Sequence, residues 1–354
     1  MKVITIVGAR PQFIKSAPVS KALQVNGYEE FIVHTGQHYD PDMSAVFFEE
    51  MGLPKPYITL HCGNLSREAM LTKMQVELKP IFDAIRPDLA LVYGDTNSTL
   101  AGARMARDCE VPLIHVEAGL RSYNDEMPEE HNRIESDQIA KWLFTPTSVA
   151  TANLHREGFK DRIIRQVGDV MLDALLMFKS RATHSIKMGP MAFFSRPFAL
   201  TTMHRFENIS QPERLAYLVD ELNTFHANVM PVWMPLHPAT AARLKQYGLK
   251  LTVEIAPPVG YLEMLWALQR TTLVLTDSGG LQKEAYYSDK PSVTLRGETE
   301  WQELIDMGAS MLFDPRKKEP LETAVRKILS EFQVGTKTPY GNGKASQAIL
   351  DALR

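Results

Sequence analysis

Leu91 to Arg133 reads LVYGDTNSTLAGARMARDCEVPLIHVEAGLRSYNDEMPEEHNR. Leu89 to Tyr93 and Leu113 to Val116 are apolar runs of strand length, and the Ala- and Arg-containing interval Ser98 to Cys109 between them has helical character. This is a βαβ unit. In an open parallel sheet, ligands bind beyond the carboxyl ends of the strands. Asp95 and Glu117 fall just past those ends and are expected to face one crevice. Glu129 and Glu130 follow on a loop ahead of a helix expected to begin near His131. One Asp alone would be read as a helix cap. Several strand-end acids in succession point to a site.

The alternation extends in both directions. Val3 to Val7 is nearly continuous in β-branched residues, as in a strand buried on both faces, and runs into Gly8-Ala9-Arg10-Pro11. Pro11 suits the first turn of a helix, so Arg10 and the helix amides are expected to meet an anion, with Lys15 one turn later as a second positive charge. Gly-x-Gly-x-x-Gly is absent here and after the other strands, which argues against a nicotinamide dehydrogenase. Phe31 to His34 is a second strand, and Asp40-Pro41 opens a helix ending near Gly52. Met70, Met74, Leu78, Ile81 and Ile85 recur at helical spacing and are read as core packing, with a bend at Pro80. Leu143 to Thr145 and Ile163 to Val167 close a sheet of six or seven strands.

A first domain over 1–170 is followed, after a connector reaching about Pro197, by a second strand–helix series. Its strands are expected at Phe198 to Met203, Val229 to Leu236, Leu251 to Ala256, Leu273 to Thr276 and Ser292 to Leu295. The fold expected is α/β, with two Rossmann-like domains (1–170 and 171–340) facing a cleft and a terminal helix over 341–354. In the second domain, Asp277-Ser278-Gly279-Gly280 opens a helix whose amides and Ser278 hydroxyl can cradle a phosphate. Glu284, on the first turns, can hold a ribose diol. His204 and His237 end strands and are candidates for polar ligand contacts.

Composition narrows the function. The chain has 354 residues, 44% hydrophobic and 23% charged, with net charge −3 and two cysteines, Cys62 and Cys109. Nothing draws it to nucleic acid or an anionic membrane. The cysteines form no CxxC pair, so no metal site or disulfide framework is expected, and a reducing cytoplasm fits. The apolar run at the N-terminus is too short for a signal segment or a membrane span and reads as the first strand.

These residues resemble the non-hydrolysing UDP-N-acetylglucosamine 2-epimerases, which share the two-domain GT-B architecture. The likeness is carried end to end by GARPQFIK at 8–15, TGQH at 35–38, GDTNST at 94–99, HVEAGLRS at 115–122, PEEHNR at 128–133, HRFEN at 204–208, HP at 237–238, DSGGLQKEA at 277–285 and TLRGETEW at 294–301. It implies that Arg10, His204, Ser278, Gly279 and Glu284 hold UDP, joined in our reading by His237 and Gly280. It implies that Asp95, Glu117 and Glu129 do the acid–base work, with Lys15 close by and His204 beside the chemistry. It also implies that the last helix, about Ala345 to Leu353, crosses back onto the first domain. A homodimer acting on a UDP-2-acetamido sugar without cofactor is expected.

The implied route eliminates UDP across C1–C2 to a 2-acetamidoglycal and adds it back after reprotonation on the other face, which needs two carboxyl groups. Crowding is expected to raise the pKa of one of them. Two departures from the glucosamine enzymes stand out. Thr299-Glu300-Trp301-Gln302-Glu303 replaces TERPE, and Phe206 follows His204-Arg205 where a charged residue is common. Both resemble the branch acting on UDP-2,3-diacetamido-2,3-dideoxyglucuronate, which serves bacterial surface polysaccharide synthesis; Trp301 is expected to present a flat apolar wall to the sugar. Tyr39-Asp40 after TGQH departs from the second Gln of enzymes activated by UDP-N-acetylglucosamine. The rival readings are a GT-B glycosyltransferase, which needs no such set of acids, and a non-catalytic UDP-sugar-binding protein.

Overall fold

The computed structural model describes residues 1–37, 45–333 and 338–354. The first unit comprises Met1–Met177 together with Thr338–Arg354, and the second Phe178–Lys337.

In the first unit the order is β1 (Lys2–Val7), α1 (Arg10–Val25), β2 (Glu29–His34), α2 (Ala45–Met51), β3 (Ile58–Thr59), α3 (Arg67–Ile85), β4 (Leu89–Tyr93), α4 (Asn97–Asp108), β5 (Leu113–Val116), α5 (Pro128–Ile139), β6 (Trp142–Thr145), α6 (Ser148–Arg156), β7 (Ile163–Gln166) and α7 (Val170–Phe178). The strands form one seven-stranded sheet in the order β3-β2-β1-β4-β5-β6-β7. Every pairing in it is parallel. The chain starts in the middle and winds outward twice, so the direction of winding reverses between β1 and β4, where a doubly wound sheet opens its crevice. Ile4, Ile6, Ala90, Val92 and Leu113 point into a core closed by Met70, Met74, Leu78, Ile81 and Ile85 of α3. The Met pattern is therefore packing, as its spacing required.

The second unit repeats the scheme with β8 (Ala199–Thr202), α8 (Phe206–Ile209), α9 (Pro212–Asn228), β9 (Val232–Pro235), α10 (Pro238–Tyr247), β10 (Glu254–Ala256), α11 (Tyr261–Arg270), β11 (Leu273–Thr276), α12 (Gly279–Tyr287), β12 (Ser292–Thr294), α13 (Gln302–Asp306), β13 (Ser310–Leu312) and α14 (Leu321–Glu331). Its six-stranded sheet runs β10-β9-β8-β11-β12-β13, so its winding reverses between β8 and β11. The last helix, α15 (Ala345–Leu353), lies in the first unit, its opening amides at Ala345 and Ser346 bonded to Asp173 of α7 at 3.0 and 2.8 Å.

Several expected boundaries move. The Val229–Leu236 strand shortens to Val232–Pro235 because Val229 is the C-cap of α9. The Leu251–Ala256 strand begins only at Glu254. The helix expected near His131 starts at Pro128, whose ring fits a first turn. Cys109, the last residue of the expected helical interval, is the half-exposed C-cap of α4. β3 and β13 had no foreseen counterpart, being two and three residues long. The Asp40-Pro41 helix opening, His38 and Tyr39 lie outside the described residues.

Candidate functional site

In the first unit β4 and β5 end side by side, with Tyr93 paired to Val116. Asp95 lies two residues past β4 and Glu117 one past β5. Asp95 does not cap α4; Thr96 does. The Asp95 carboxylate instead accepts from Arg133 Nε at 3.0 Å and Nη2 at 2.6 Å, and its carbonyl accepts from Asn132 Nδ2 at 2.9 Å. Glu117 sits at φ 70°, a left-handed conformation rare for a residue with a side chain. Its Oε1 meets Lys15 Nζ at 2.6 Å, both side chains nearly buried. Lys15 is thus no solvated helix residue but the counter-charge of a strand-end acid. Gly94 is required between them. At φ 62°, a Cβ there would come 3.1 Å from Lys15 Nζ and 3.4 Å from Glu117 Oε1.

The two glutamates of the first turn of α5 diverge. Glu130 is buried and accepts from the Ser122 and Tyr123 amides and from Arg133 Nη1 at 2.7 Å. Burial pushes its carboxyl up, but those amides and the guanidinium outweigh burial and hold it below its ordinary value. Glu129, beside it, is half-exposed. The crowding expected of these acids is answered by pairing. Arg133 bridges Asp95 and Glu130, and Lys15 serves Glu117.

At the start of α1, Gln12 Oε1 accepts from the Gly8 and Ala9 amides at 2.8 and 3.2 Å, while its Nε2 donates to the Tyr93 carbonyl at 3.0 Å. The two amides that precede α1 are therefore engaged internally. Arg10, half-exposed at the first position of α1, keeps its place in that reading.

In the second unit Asp277, past β11, is fully buried and accepts from the His204 and Arg205 amides and from Asn208 Nδ2. It pins the turn after β8 to the turn after β11. The His204 and His237 rings stack with centroids 5.4 Å apart, and His237 Nδ1 accepts from the Ala239 amide at 3.2 Å, capping α10. Ser278 is the N-cap of α12, and its hydroxyl does not bond that helix. A Cβ on Gly279 would stand 2.3 Å from Glu300 Oε1, so a larger residue there would displace the Glu300 carboxylate. Gly280 and the buried Glu284 follow on α12. Trp301 is 3% exposed, with Lys283 Nζ 3.8 Å from its ring centroid. The expected apolar wall is a buried ring covered by a cation. Phe206, by contrast, is 73% exposed.

Arg133, Gln12, Asp277 and the buried pair His115–Asp137 carry roles that no reading of the sequence assigned to them. For Arg133 a signal existed, since Glu130 and Arg133 lie three apart on one helical face. Among the described residues no group of three or more His, Cys, Asp or Glu is placed to hold a metal ion, and no helix is long and apolar enough to cross a membrane.

A family profile described as UDP-N-acetylglucosamine 2-epimerase matches residues 21–354. The chain is 47% identical over 356 residues to the UDP-2,3-diacetamido-2,3-dideoxy-D-glucuronate 2-epimerase of Pseudomonas aeruginosa, covering 100% of this chain and 99% of that one. It is 32% identical to the UDP-N-acetylglucosamine 2-epimerase of Escherichia coli K12, covering 100% and 98%. Among solved structures, that of the Methanocaldococcus jannaschii UDP-GlcNAc 2-epimerase in complex with UDP-GlcNAc and UDP superposes with a TM-score of 0.92 at 38% identity, covering 100% and 99%.

Proposed function

The chain belongs to the UDP-N-acetylglucosamine 2-epimerase family, and from that premise we propose that it inverts C2 of a UDP-2-acetamido sugar by elimination and re-addition of UDP. The observation that carries this reading is the adjacent placing of Asp95 and Glu117 past β4 and β5, each with its own cation. A carboxylate takes the C2 proton, the C1–O bond breaks with its electron pair leaving on UDP, and C1=C2 forms. A second carboxyl group then protonates C2 from the opposite face while the diphosphate oxygen re-forms the bond to C1. Asp95, Glu117 and Glu129 are assigned these proton transfers. Lys15 holds Glu117, and His204 attends the leaving group. Arg10, His204, His237, Ser278, Gly279, Gly280 and Glu284 are assigned to UDP, with α12 amides opposing the charge that develops on the diphosphate.

A second reading of the sugar is favoured by the 47% identity with the Pseudomonas aeruginosa enzyme. On this reading the substrate is UDP-2,3-diacetamido-2,3-dideoxyglucuronate, and the product enters bacterial surface polysaccharide synthesis. The departures at Trp301 and Phe206 support it. The buried ring at Trp301 would act through the position of α12 and not by touching the sugar. Either reading has the chain act in the cytoplasm, as a homodimer, on a nucleotide sugar and on neither nucleic acid nor membrane.

The test is turnover in D₂O of UDP-N-acetylglucosamine and its 3-acetamido uronate congener, each without acceptor. Product carrying deuterium at C2 is expected. Glu117→Gln, Glu129→Gln and Asp95→Asn should each lower kcat by about 10²–10⁴ while UDP affinity holds. Product without solvent deuterium would remove the elimination route. Turnover only with an added acceptor would make the chain a glycosyltransferase.

A further inference from the structure

The last ladder bond between the strands that carry Asp95 and Glu117 runs from the Gly94 amide to the Val116 carbonyl, at 2.9 Å. Beyond it the two turns part from each other, with Gly94, Glu117 and Gly119 at φ 62°, 70° and 79°. A fully buried side-chain pair lies against both. His115 Nε2 meets the Gly94 carbonyl at 2.7 Å, and its Nδ1 meets Asp137 Oδ1 at 2.7 Å. A carbonyl only accepts, and so does a carboxylate, so the ring donates through both nitrogens. Asp137 Oδ2 accepts from the Gly119 amide at 3.1 Å and from Arg121 Nη1 at 2.8 Å. Arg121 is in turn held by a two-pronged bond to Glu157, at 2.7 Å on each prong. Burial alone would push the Asp137 carboxyl up. His115 and Arg121 outweigh it and hold the group below its ordinary value.

We propose that His115 and Asp137 are positioning residues that register the Gly94–Asp95 turn against the Glu117–Gly119 turn and so set the spacing of the two carboxylates. This rests on the acid–base roles proposed above. Neither side chain reaches solvent, so neither touches substrate. Their hydrogen bonds end on the backbone of the two acid-bearing turns, past the last bond of the β4–β5 ladder, where the Glu117 turn is tied to β6 through the Phe144 carbonyl but no sheet bond joins it to the Gly94–Asp95 turn. A displacement of about 1 Å between reacting groups costs about 10²-fold in rate. The step most exposed to it is the return of the proton to C2, because the glycal and UDP can escape while it waits.

Two variants divide the hydrogen bonds of His115. His115→Gln places an amide donor near the Nε2 position and keeps the Gly94 contact. His115→Asn places one near Nδ1 and keeps Asp137 but loses Gly94. The assay is turnover of whichever of the two UDP-sugars the wild type converts, with UDP and glycal release followed alongside and UDP binding measured by calorimetry. His115→Asn is expected to lower kcat by about 10–100-fold, keep UDP affinity within about twofold, and release a larger share of turnovers as UDP and glycal. His115→Gln is expected to recover most of kcat. Asp137→Asn, of the same shape, should follow His115→Asn if that variant folds poorly. Wild-type kcat and product partition in His115→Asn and Asp137→Asn would overturn the proposal. So would equal losses of kcat and UDP affinity in both His115 variants, which would mark a merely structural pair. Absence of C2 deuterium in wild-type product would instead sink the acid–base reading itself.

Discussion

Glu117 holds a left-handed backbone at φ 70° next to a glycine that must also be left-handed, and between the two lies the Lys15 ammonium. A side chain in that region costs of order 1–3 kcal/mol, sustained only when surrounding contacts over-determine it. The Lys15 ion pair and the Glu117 amide bond to the Phe144 carbonyl at 3.0 Å are such contacts. Gly94→Ala should therefore disturb both turns, adding a strained φ and driving a methyl toward Lys15 Nζ and Glu117 Oε1. A loss of about 1–2 kcal/mol in chemical denaturation is expected, with kcat reduced and UDP affinity intact. Wild-type stability and rate in this variant would show that the pair tolerates displacement and that its geometry matters little. Arg133, 2% exposed, is a single residue on which two acids depend. Its planar fork puts Nε and Nη2 on Asp95 and Nη1 on Glu130 at once, a fixed geometry that lysine lacks.

Helix α5 is the clamp of the first unit. Asn132, Arg133 and Asp137 each bond a strand-end turn, and its first turn carries Glu129 and Glu130. Its hold is sensitive to acid. Glu130 and Asp137 are both held below the ordinary carboxylate range, so the stability they contribute is present above their unfolded-state values, near pH 4, and is lost as pH falls through the lower folded-state values. Helix α15 has the opposite sign. Burial, aided by Asp169, pushes the Asp173 carboxyl up against its bonds to Ala345 and Ser346. The folded state then binds that proton more tightly, and docking of α15 weakens as pH rises from the ordinary value through the raised one. Hydrogen exchange corrected for intrinsic rates should show α5 losing protection below about pH 4 while α15 does not. Loss of protection in both helices together would mean that one global transition governs them. The existence of α5 is legible in PEEHNR, but its start three residues before His131 is not, because Pro128 and the two acids after it suit a loop as well as a first turn.

Across the whole molecule, the two units have separate cores and carry different probes. Trp142 lies in the first unit, and Trp233, Trp266 and Trp301 lie in the second. If UDP is held by Ser278, Gly279 and Glu284, UDP at a hundred times Kd should stabilise the fold by about 2.7 kcal/mol and so raise the unfolding midpoint seen by tryptophan fluorescence. Ser278→Ala should reduce that shift. An unmoved midpoint with excess UDP would take the nucleotide away from the second unit. The alternation of strands and helices, the acids one or two residues past β4 and β5, and the glycines opening α12 were all determined by the sequence by itself. Each is a local pattern, written within a few residues by burial periodicity and turn chemistry. Tertiary structure alone decided which groups those acids meet. Lys15 reaches Glu117 across 102 positions and Arg133 reaches Asp95 across 38. The sheet order, with β1 beside β4 and β4 beside β5, creates both neighbourhoods. The packing of α5 separates Glu130, locked into the fold, from Glu129, which stays half-exposed, and in the second unit the turn after β12 places the buried Trp301 ring against Lys283 of α12. No periodicity encodes such choices, because they depend on which strand ends stand next to each other once the chain has wound.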